Sequence, residues 1–257
     1  MKRKRYDNIL WFILLITLWE ILVQTSKVES FIPSFFSIVR MLYQEIMNGL
    51  LIKHSAVSLL MVLQGYFISV ICALVAAVFA YKVKAVDSLL SFLYQILCPL
   101  PSVAILPIVL ICNGLKQSSI LILIFHAVFW PVYNSNVMGF KSIPSVLNTF
   151  ADNTQIPFIS RIPFLYIPSA FPHILSGLRN AWGRAWRSLL SAEAIFGISG
   201  GTQGLGYYIY YHRAFANIEN IFAAIMIIAL ISMIIDKIFA LIKSWTVEKW
   251  GVVNEQK

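Results

Sequence analysis

Ala56-Val-Ser-Leu-Leu-Met-Val-Leu-Gln-Gly-Tyr-Phe-Ile-Ser-Val-Ile-Cys-Ala-Leu-Val-Ala-Ala-Val-Phe-Ala-Tyr81 contains no Asp, Glu, Lys or Arg. A helix needs about 20 apolar residues to cross roughly 30 Å of hydrocarbon, and this run exceeds that length. Two further uncharged stretches follow, Ser88 to Leu115 and Gln117 to Phe140. Ile9 to Val23, interrupted by Glu20, and Ile221 to Ile242, interrupted by Asp236 and Lys237, read as weaker spans. Ser169 to Phe196 carries Arg179, Arg184, Arg187 and Glu193, and it inserts only if protein or trapped water solvates those charges. The expected fold is therefore an all-α polytopic membrane protein of about six transmembrane helices, with residues 1–257 forming one membrane domain. The composition agrees: 59% of the residues are hydrophobic, 12% are charged, and the mean hydropathy is +0.79, well away from a soluble domain.

The net charge of +9 raises the question of a nucleic-acid partner, but the basic residues follow topology. Six spans with an internal N-terminus put Lys2, Arg3, Lys4, Arg5, Lys82, Lys84, Lys141, Arg161, Lys243, Lys249 and Lys257, eleven residues, on the cytoplasmic side. Five, Lys27, Arg40, Lys53, Lys116 and Arg213, fall outside. This obeys the positive-inside rule, so both termini are expected in the cytoplasm and no nucleic acid is implied. Met1 to Arg5 followed by an apolar run resembles a secretory signal, yet no A-x-A-like cleavage site follows and Glu20 lies inside the run. It reads as an uncleaved first helix.

Two connections are too long for turns. Residues 31–54 begin Phe31-Ile-Pro-Ser34 and continue with Phe36, Val39, Leu42, Tyr43 and Ile46 on one side, as an external amphipathic segment against the membrane or the bundle. Residues 141–168 contain Pro144, Pro157, Pro163 and Pro168, and a short helix fits from about Pro144 to Ile156, capped by Ser142 or Ser145. Phe150, Ile156 and Phe158 are apolar residues that such a loop has little reason to expose unless a partner, or the membrane surface, covers them.

Pro99-Leu-Pro-Ser-Val-Ala-Ile-Leu-Pro107 sets three prolines in nine residues of the third span. Each removes a backbone donor, and the carbonyls thereby freed need other helices or water, so the segment belongs at the bundle centre, as a gate or pathway lining or as a structural kink. Arg184 and Arg187 share a helical face, and each costs about 2.5–3.5 kcal/mol at the centre of a lipid-facing helix. They face inward. Two roles are open to them: attracting an anion, or pairing with Glu193, Asp236 or helix-end carbonyls.

Cys72, Cys98 and Cys112 lie in apolar runs without a C-x-x-C and read as buried hydrophobes. His54, His126, His173 and His212 lack ligand spacing, so no metal site is expected. Gly197-Ile-Ser-Gly-Gly-Thr-Gln-Gly-Leu-Gly206 lacks G-K-[ST] and follows an apolar helix, so it reads as an external turn whose glycines permit positive φ, not as a nucleotide loop. Tyr207, Tyr208, Tyr210 and Tyr211 suit the membrane interface or contact with an external protein. No Walker motif and no nucleophile–base pair is present, so catalysis by this chain is not expected.

Several segments, in order, resemble the permeases of the nitrate, sulfonate and taurine type of ATP-binding-cassette importers. Phe31-Ile-Pro-Ser34 is similar to an L-P-S-P entry, Ser58-Leu-Leu-Met-Val-Leu-Gln-Gly65 to S-L-x-R-x-x-x-G, and Pro99 to Pro107 to P-x-P-x-x-A-x-x-P. Ile167-Pro-Ser-Ala-Phe-Pro172, Gly177-Leu-Arg179, Gly183-Arg-Ala-Trp186, Ala192-Glu193 and Gly204-Leu-Gly-Tyr207 continue the series. The resemblance implies a type I importer permease fold of the MetI-like kind, in the bacterial inner membrane. It implies a second permease copy, an external solute-binding protein, and cytoplasmic ATPase subunits that carry the ATP and magnesium, this chain binding no cofactor. It implies uptake of a small solute such as a sulfonate, taurine, nitrate or bicarbonate, or a thiamine-precursor pyrimidine.

It further implies that residues 141–168 hold a coupling helix. By spacing, the family's E-A-A-x-x-x-G falls on Thr149-Phe-Ala-Asp-Asn-Thr-Gln155, where Ala151 matches while Thr149 and Gln155 replace glutamate and glycine. Met61 and Cys112-Asn-Gly114 depart from the pattern too, marking a divergent member. The expected ATPase contacts are Thr149, Phe150, Ala151, Gln155, Ile156 and Phe158, and the expected pathway or gate residues are Pro99, Pro101, Ser102, Pro107, Arg184, Arg187 and Glu193. An ion-coupled secondary transporter is the competing reading. It calls for paired intramembrane acids or an inverted repeat, and the chain offers scattered Glu20, Glu193 and Asp236. Reporter fusions at Lys257 and within residues 141–168 are expected to read out as cytoplasmic, and a periplasmic signal from either overturns the topology.

Overall fold

The computed structural model describes residues 2–25, 32–196 and 203–248. Phe31, Lys249, Lys257 and most of the 197–206 glycine run lie outside the described residues, and so do the side chains of Lys2 to Arg5. The elements are α1 (Lys2–Thr25), α2 (Phe35–Met47), α3 (Leu50–Lys82), α4 (Lys84–Leu97), a 3-10 turn (Ser102–Ile105), α5 (Leu106–Asn113), α6 (Gln117–Lys141), α7 (Ser145–Asn153), α8 (Phe158–Arg161), a π-turn (Ile162–Tyr166), α9 (Ile167–Phe196), α10 (Leu205–Ala214), α11 (Ile218–Lys243) and a closing π-turn (Ser244–Glu248). Among the described residues there is no strand. By length and composition α3, α6 and α11 can each cross a membrane, and α4 with the Ser102–Asn113 segment makes a fourth crossing if that pair, bent by 92°, is one span. The third expected span is thus two helices at nearly a right angle. The described apolar part of α1 is shorter, and α9 carries the charges noted above.

Helices α3, α6 and α9 form the core, and glycine brings them together. A Cβ on Gly65 of α3 would fall 2.7 Å from Ile124 of α6, and one on Gly139 of α6 would fall 2.8 Å from Ala170 of α9. One on Gly177 of α9 would meet the Ser135 Cβ of α6 at 2.4 Å. In hydrocarbon there is no hydrophobic gain from pairing helices, so close packing of small residues has to supply the attraction. The packed face of α3 includes Ser58, Gly65, Ser69, Ala73, Ala77 and Ala80, with Leu51, His54, Met61, Val62 and Tyr66 among them toward its N-terminal half. Its other face exposes Leu60, Phe67, Ile68, Ile71, Val75 and Phe79, which lipid solvates. The Tyr66 hydroxyl donates to the Leu178 carbonyl at 2.8 Å, and its ring stands edge-on to Trp182, tying α3 to α9. Helix α11 is peripheral, burying Ala223 and Ala224.

Several sequence expectations change. The amphipathic segment expected over 31–54 is shorter: α2 stops at Met47, and α3 already starts at Leu50. Its packed residues are Ile38 and Leu42, whereas Phe36, Val39 and Tyr43 point outward, so only the Ile38–Leu42 part of the apolar stripe meets the bundle. Glu20, which made the first span look weak, has a clear role. Its carboxylate accepts the Phe35 N–H at 3.1 Å, and Ser34 Oγ accepts that of Ser37, so the two satisfy α2's first turn. Trp19 reinforces the joint by donating from Nε1 to the Pro33 carbonyl. Cys72 and Cys112 are exposed and Cys98 half-buried, so the expectation of buried cysteines fails: the first two lie on outward apolar faces.

The glycine seam predicts the effect of overpacking. Gly177→Leu forces its side chain into Ser135 and is expected to destabilise the protein by roughly 1–3 kcal/mol. The measurement is thermal unfolding in detergent, with partial recovery expected when Ser135→Gly is added.

Candidate functional site

The break between α4 and α5 opens a cavity of about 350 Å³. It is lined by Cys98 to Val103, by His126 and Ala127 of α6, and by Arg184, Arg187, Ser188 and Ser191 of α9. The structure therefore brings together Pro99, Pro101, Ser102, Arg184 and Arg187. Pro107 sits in the first turn of α5, outside the lining, and Glu193 is elsewhere. His126 and Ser191 join the cavity although the sequence reading did not select them; a lone histidine in an apolar run carries no signal until its neighbours are known.

Of the partners weighed for the arginines, the two acids are engaged elsewhere, while the helix-end carbonyl of Cys98 lies 3.5 Å from Arg184 Nη1. Asp236 accepts from Arg179 Nε at 2.9 Å, joining α9 to α11. Glu193 is 1% exposed and accepts from the Ser58 hydroxyl at 2.9 Å and from the Gly206 N–H at 2.8 Å. Ser58 Oγ in turn accepts the Leu205 N–H at 2.8 Å. Glu193 is thus a clasp holding the start of α10 to α3 and α9, not a lining residue of the cavity. It also explains two glycines: a Cβ on Gly204 would fall 2.0 Å from Glu193 Oε1, and one on Gly206 2.5 Å from the Glu193 Cβ. Gly204 has φ −88°, so close approach, not positive φ, is what requires glycine there. His54 adds a contact to the Gln203 carbonyl. Of the tyrosines expected at an interface, Tyr208 is buried and bound to Asn220, while Tyr210 and Tyr211 are exposed. Nearby, burial pulls the His212 imidazole below its ordinary pKa, against the pull of Glu45.

The 141–168 connection forms the second site. Its helix α7 ends at Asn153 rather than Ile156, and neither proposed serine caps it: Pro144 holds the cap position and the Ser142 hydroxyl donates to the Gly139 carbonyl. Gln155 has φ +53°, in the left-handed region. A residue just past a helix end needs that conformation, and glycine adopts it without strain, which accounts for the glycine of the pattern that Gln155 replaces. Arg161 braces the turn, donating to the Ile156 carbonyl at 2.8 Å, the Ala151 carbonyl at 3.1 Å and Asp152 Oδ1 at 2.5 Å.

Ala151 is buried, and Thr149 donates back to the Ser145 carbonyl. Phe150 is 60% exposed, with Val146, Ile159 and Phe164 exposed beside it in sequence. Ile156 and Phe158 differ from expectation: both are half-buried, Phe158 lying against Tyr166 and under the Lys82 ammonium. The sequence reading passed over Val146, Ile159, Phe164 and Arg161, because exposure and the Arg161 brace arise from the turn at Gln155.

Within this chain the broken span flanks the α3–α6–α9 core and does not occupy the bundle centre as expected, since α4 and the 3-10 turn bury no residue. Apolar helices with a broken span beside them and an apolar, braced loop mark an integral-membrane protein. Residues 65–247 match the binding-protein-dependent transport system inner membrane component family, and this chain belongs to that family. It is similar to the taurine transport system permease protein of Escherichia coli (strain K12), 29% identical over 193 residues, 75% of this chain and 69% of that one. A Bacillus subtilis (strain 168) chain, provisionally named an aliphatic sulfonates transport permease protein, is 26% identical over 94% of this chain and 87% of its own. The nitrate import permease protein of Synechocystis sp. is 24% identical over 91% of this chain and 86% of its own. The chain is accordingly a multi-pass inner-membrane permease subunit of an ATP-binding-cassette importer.

Removing the Glu193 carboxylate leaves the Ser58 hydroxyl and the Gly206 N–H without their acceptor. Glu193→Ala is expected to cost about 1–3 kcal/mol for each buried group left unpaired, read as a lowered unfolding temperature of the purified permease. An unchanged midpoint would dissolve the clasp.

Proposed function

We propose that two copies of this chain face one another in the membrane and form the pathway of an importer for a small oxyanion such as a sulfonate, taurine, nitrate or bicarbonate. The solute class is taken from the names of the similar permeases. An external binding protein delivers the solute, and two cytoplasmic ATPase subunits, holding ATP and magnesium, drive the cycle. Both termini and residues 141–168 lie in the cytoplasm, as the distribution of Lys and Arg requires. Pro99, Pro101, Ser102, Arg184 and Arg187 line the pathway at the α4–α5 break. Pro107 starts the α5 limb that moves with that break, and Glu193 acts by holding the α10 end in place.

Coupling runs through α7. The observation that carries this is Phe150, an exposed aromatic on a two-turn helix that Arg161 clamps onto the root of α9. An exposed apolar side chain on a rigid lever gains from burial in a cleft of a partner, about 1.5–3 kcal/mol for a phenylalanine. Thr149, Gln155 and Ala151 shape the lever, Phe158 transmits its motion to the core it packs on, and Ile156, half-buried at the turn, receives the Arg161 brace on its carbonyl.

Phe150→Asp would place an unpaired charge in the cleft. It is expected to weaken ATPase co-purification tenfold or more, at about 1.4 kcal/mol per tenfold, while the permease still inserts and folds. Unchanged association and uptake would show that the coupling contact lies on other residues.

A further inference from the structure

We infer that the cavity at the α4–α5 break is an oxyanion-binding subsite of the permease itself, in which Arg187, Arg184 and Ser188 hold the acid group of the solute in transit. The inference rests on the importer reading above and says where, and by which groups, the charge of the solute is sensed.

Charge balance is the first argument. Among the described residues no carboxylate lines the cavity, while two guanidinium groups do. The acids that offer themselves in the sequence are engaged elsewhere, Asp236 by Arg179 and Glu193 by Ser58 and Gly206. Arg184 reaches the Cys98 carbonyl at 3.5 Å, the outer limit of a hydrogen bond. Arg187 has no hydrogen bond or ion pair within the described residues. Both residues are exposed in the single chain, against the expectation that they face inward, and in a membrane a cation so placed needs water or an anion to solvate it.

Unmet hydrogen-bonding capacity is the second. Ser188 is 2% exposed and its Oγ lacks a partner, although it stands one residue from Arg187 in the cavity wall. A polar side chain buried without a partner normally marks a place for a water or a ligand. Ser102, Ser191 and the His126 ring add neutral polar groups around the same space. Planar guanidinium forks with hydroxyl donors match the several oxygens of a sulfonate or nitrate, whereas a neutral solute leaves the cations uncompensated. The volume of about 350 Å³ admits such a solute with its water and sits at the small end of the roughly 300–1,000 Å³ typical of ligand sites.

The test uses the permease–ATPase complex in lipid nanodiscs, with no binding protein, titrated calorimetrically at constant ionic strength. Sodium methanesulfonate and sodium nitrate are the anionic probes and dimethyl sulfone the neutral one. Saturable binding of an anionic probe and none of dimethyl sulfone is expected. Arg187→Gln and Ser188→Ala are each expected to weaken the anion roughly tenfold or more, with partial recovery in Arg187→Lys. Failure of both anions to bind, equal binding of the sulfone, or undiminished binding in both variants overturns the subsite. Stimulation of wild-type ATP hydrolysis by the loaded binding protein is measured alongside. If it persists while the anions fail to bind, the importer stands and the subsite does not; if it is absent, the importer reading itself is lost.

Discussion

The close seating of α9 on α6 is the constraint on which the rest of the molecule depends. Hydrocarbon offers no water to satisfy a backbone and no hydrophobic gain for a helix pair, so α9, with three arginines and a glutamate, is held by contact at short range. Gly139 and Gly177 allow that contact, and their replacement by anything larger separates the helices. With α9 flush against α6, Arg184 and Arg187 arrive opposite the α4–α5 break, and Glu193 arrives beneath the chain entering α10. A wider separation would disturb all of these placements.

The same seam bears on the loop proposed to couple to the ATPase. Residues 141–168 leave the end of α6 and return as α9, so the loop joins the two most tightly packed helices of the bundle. Within the loop Phe158 lies against Tyr166 and under the Lys82 ammonium of α3, and Lys141 pairs with Asp87 at the start of α4 at 2.7 Å. A displacement of α7 thus reaches α3, α4 and α9 through side chains already in contact. The α4–α5 break lacks a continuous hydrogen-bond ladder, because its prolines carry no N–H.

The polar groups of the membrane part divide into two kinds. Glu20, Glu193, Ser34 and Ser58 hold backbone donors or one another and act as joints between elements. Arg184, Arg187 and Ser188 hold little or nothing and face a cavity. Joints of the first kind rigidify the bundle; groups of the second kind keep hydrogen-bonding capacity that no residue of the described chain fully uses.

Hydropathy and charge by themselves determined that the chain crosses the membrane repeatedly, that α3, α6 and α11 span it, that the third span breaks at its prolines, and that a short apolar helix lies between α6 and α9. These are local properties: the transfer cost of a run of side chains and the missing donor of proline do not depend on what lies nearby. Tertiary structure alone decided which acid answers which base. Glu193, six and nine residues on from the arginines and off their helical face, is turned to Ser58 on another helix, and Glu20 caps an α2 turn fifteen residues away. It also decided which face of α2 is buried, that Gln155 occupies a left-handed turn, and that Phe158 packs while Phe150 protrudes. Each of these depends on a neighbour distant in sequence, and periodicity carries no record of that neighbour.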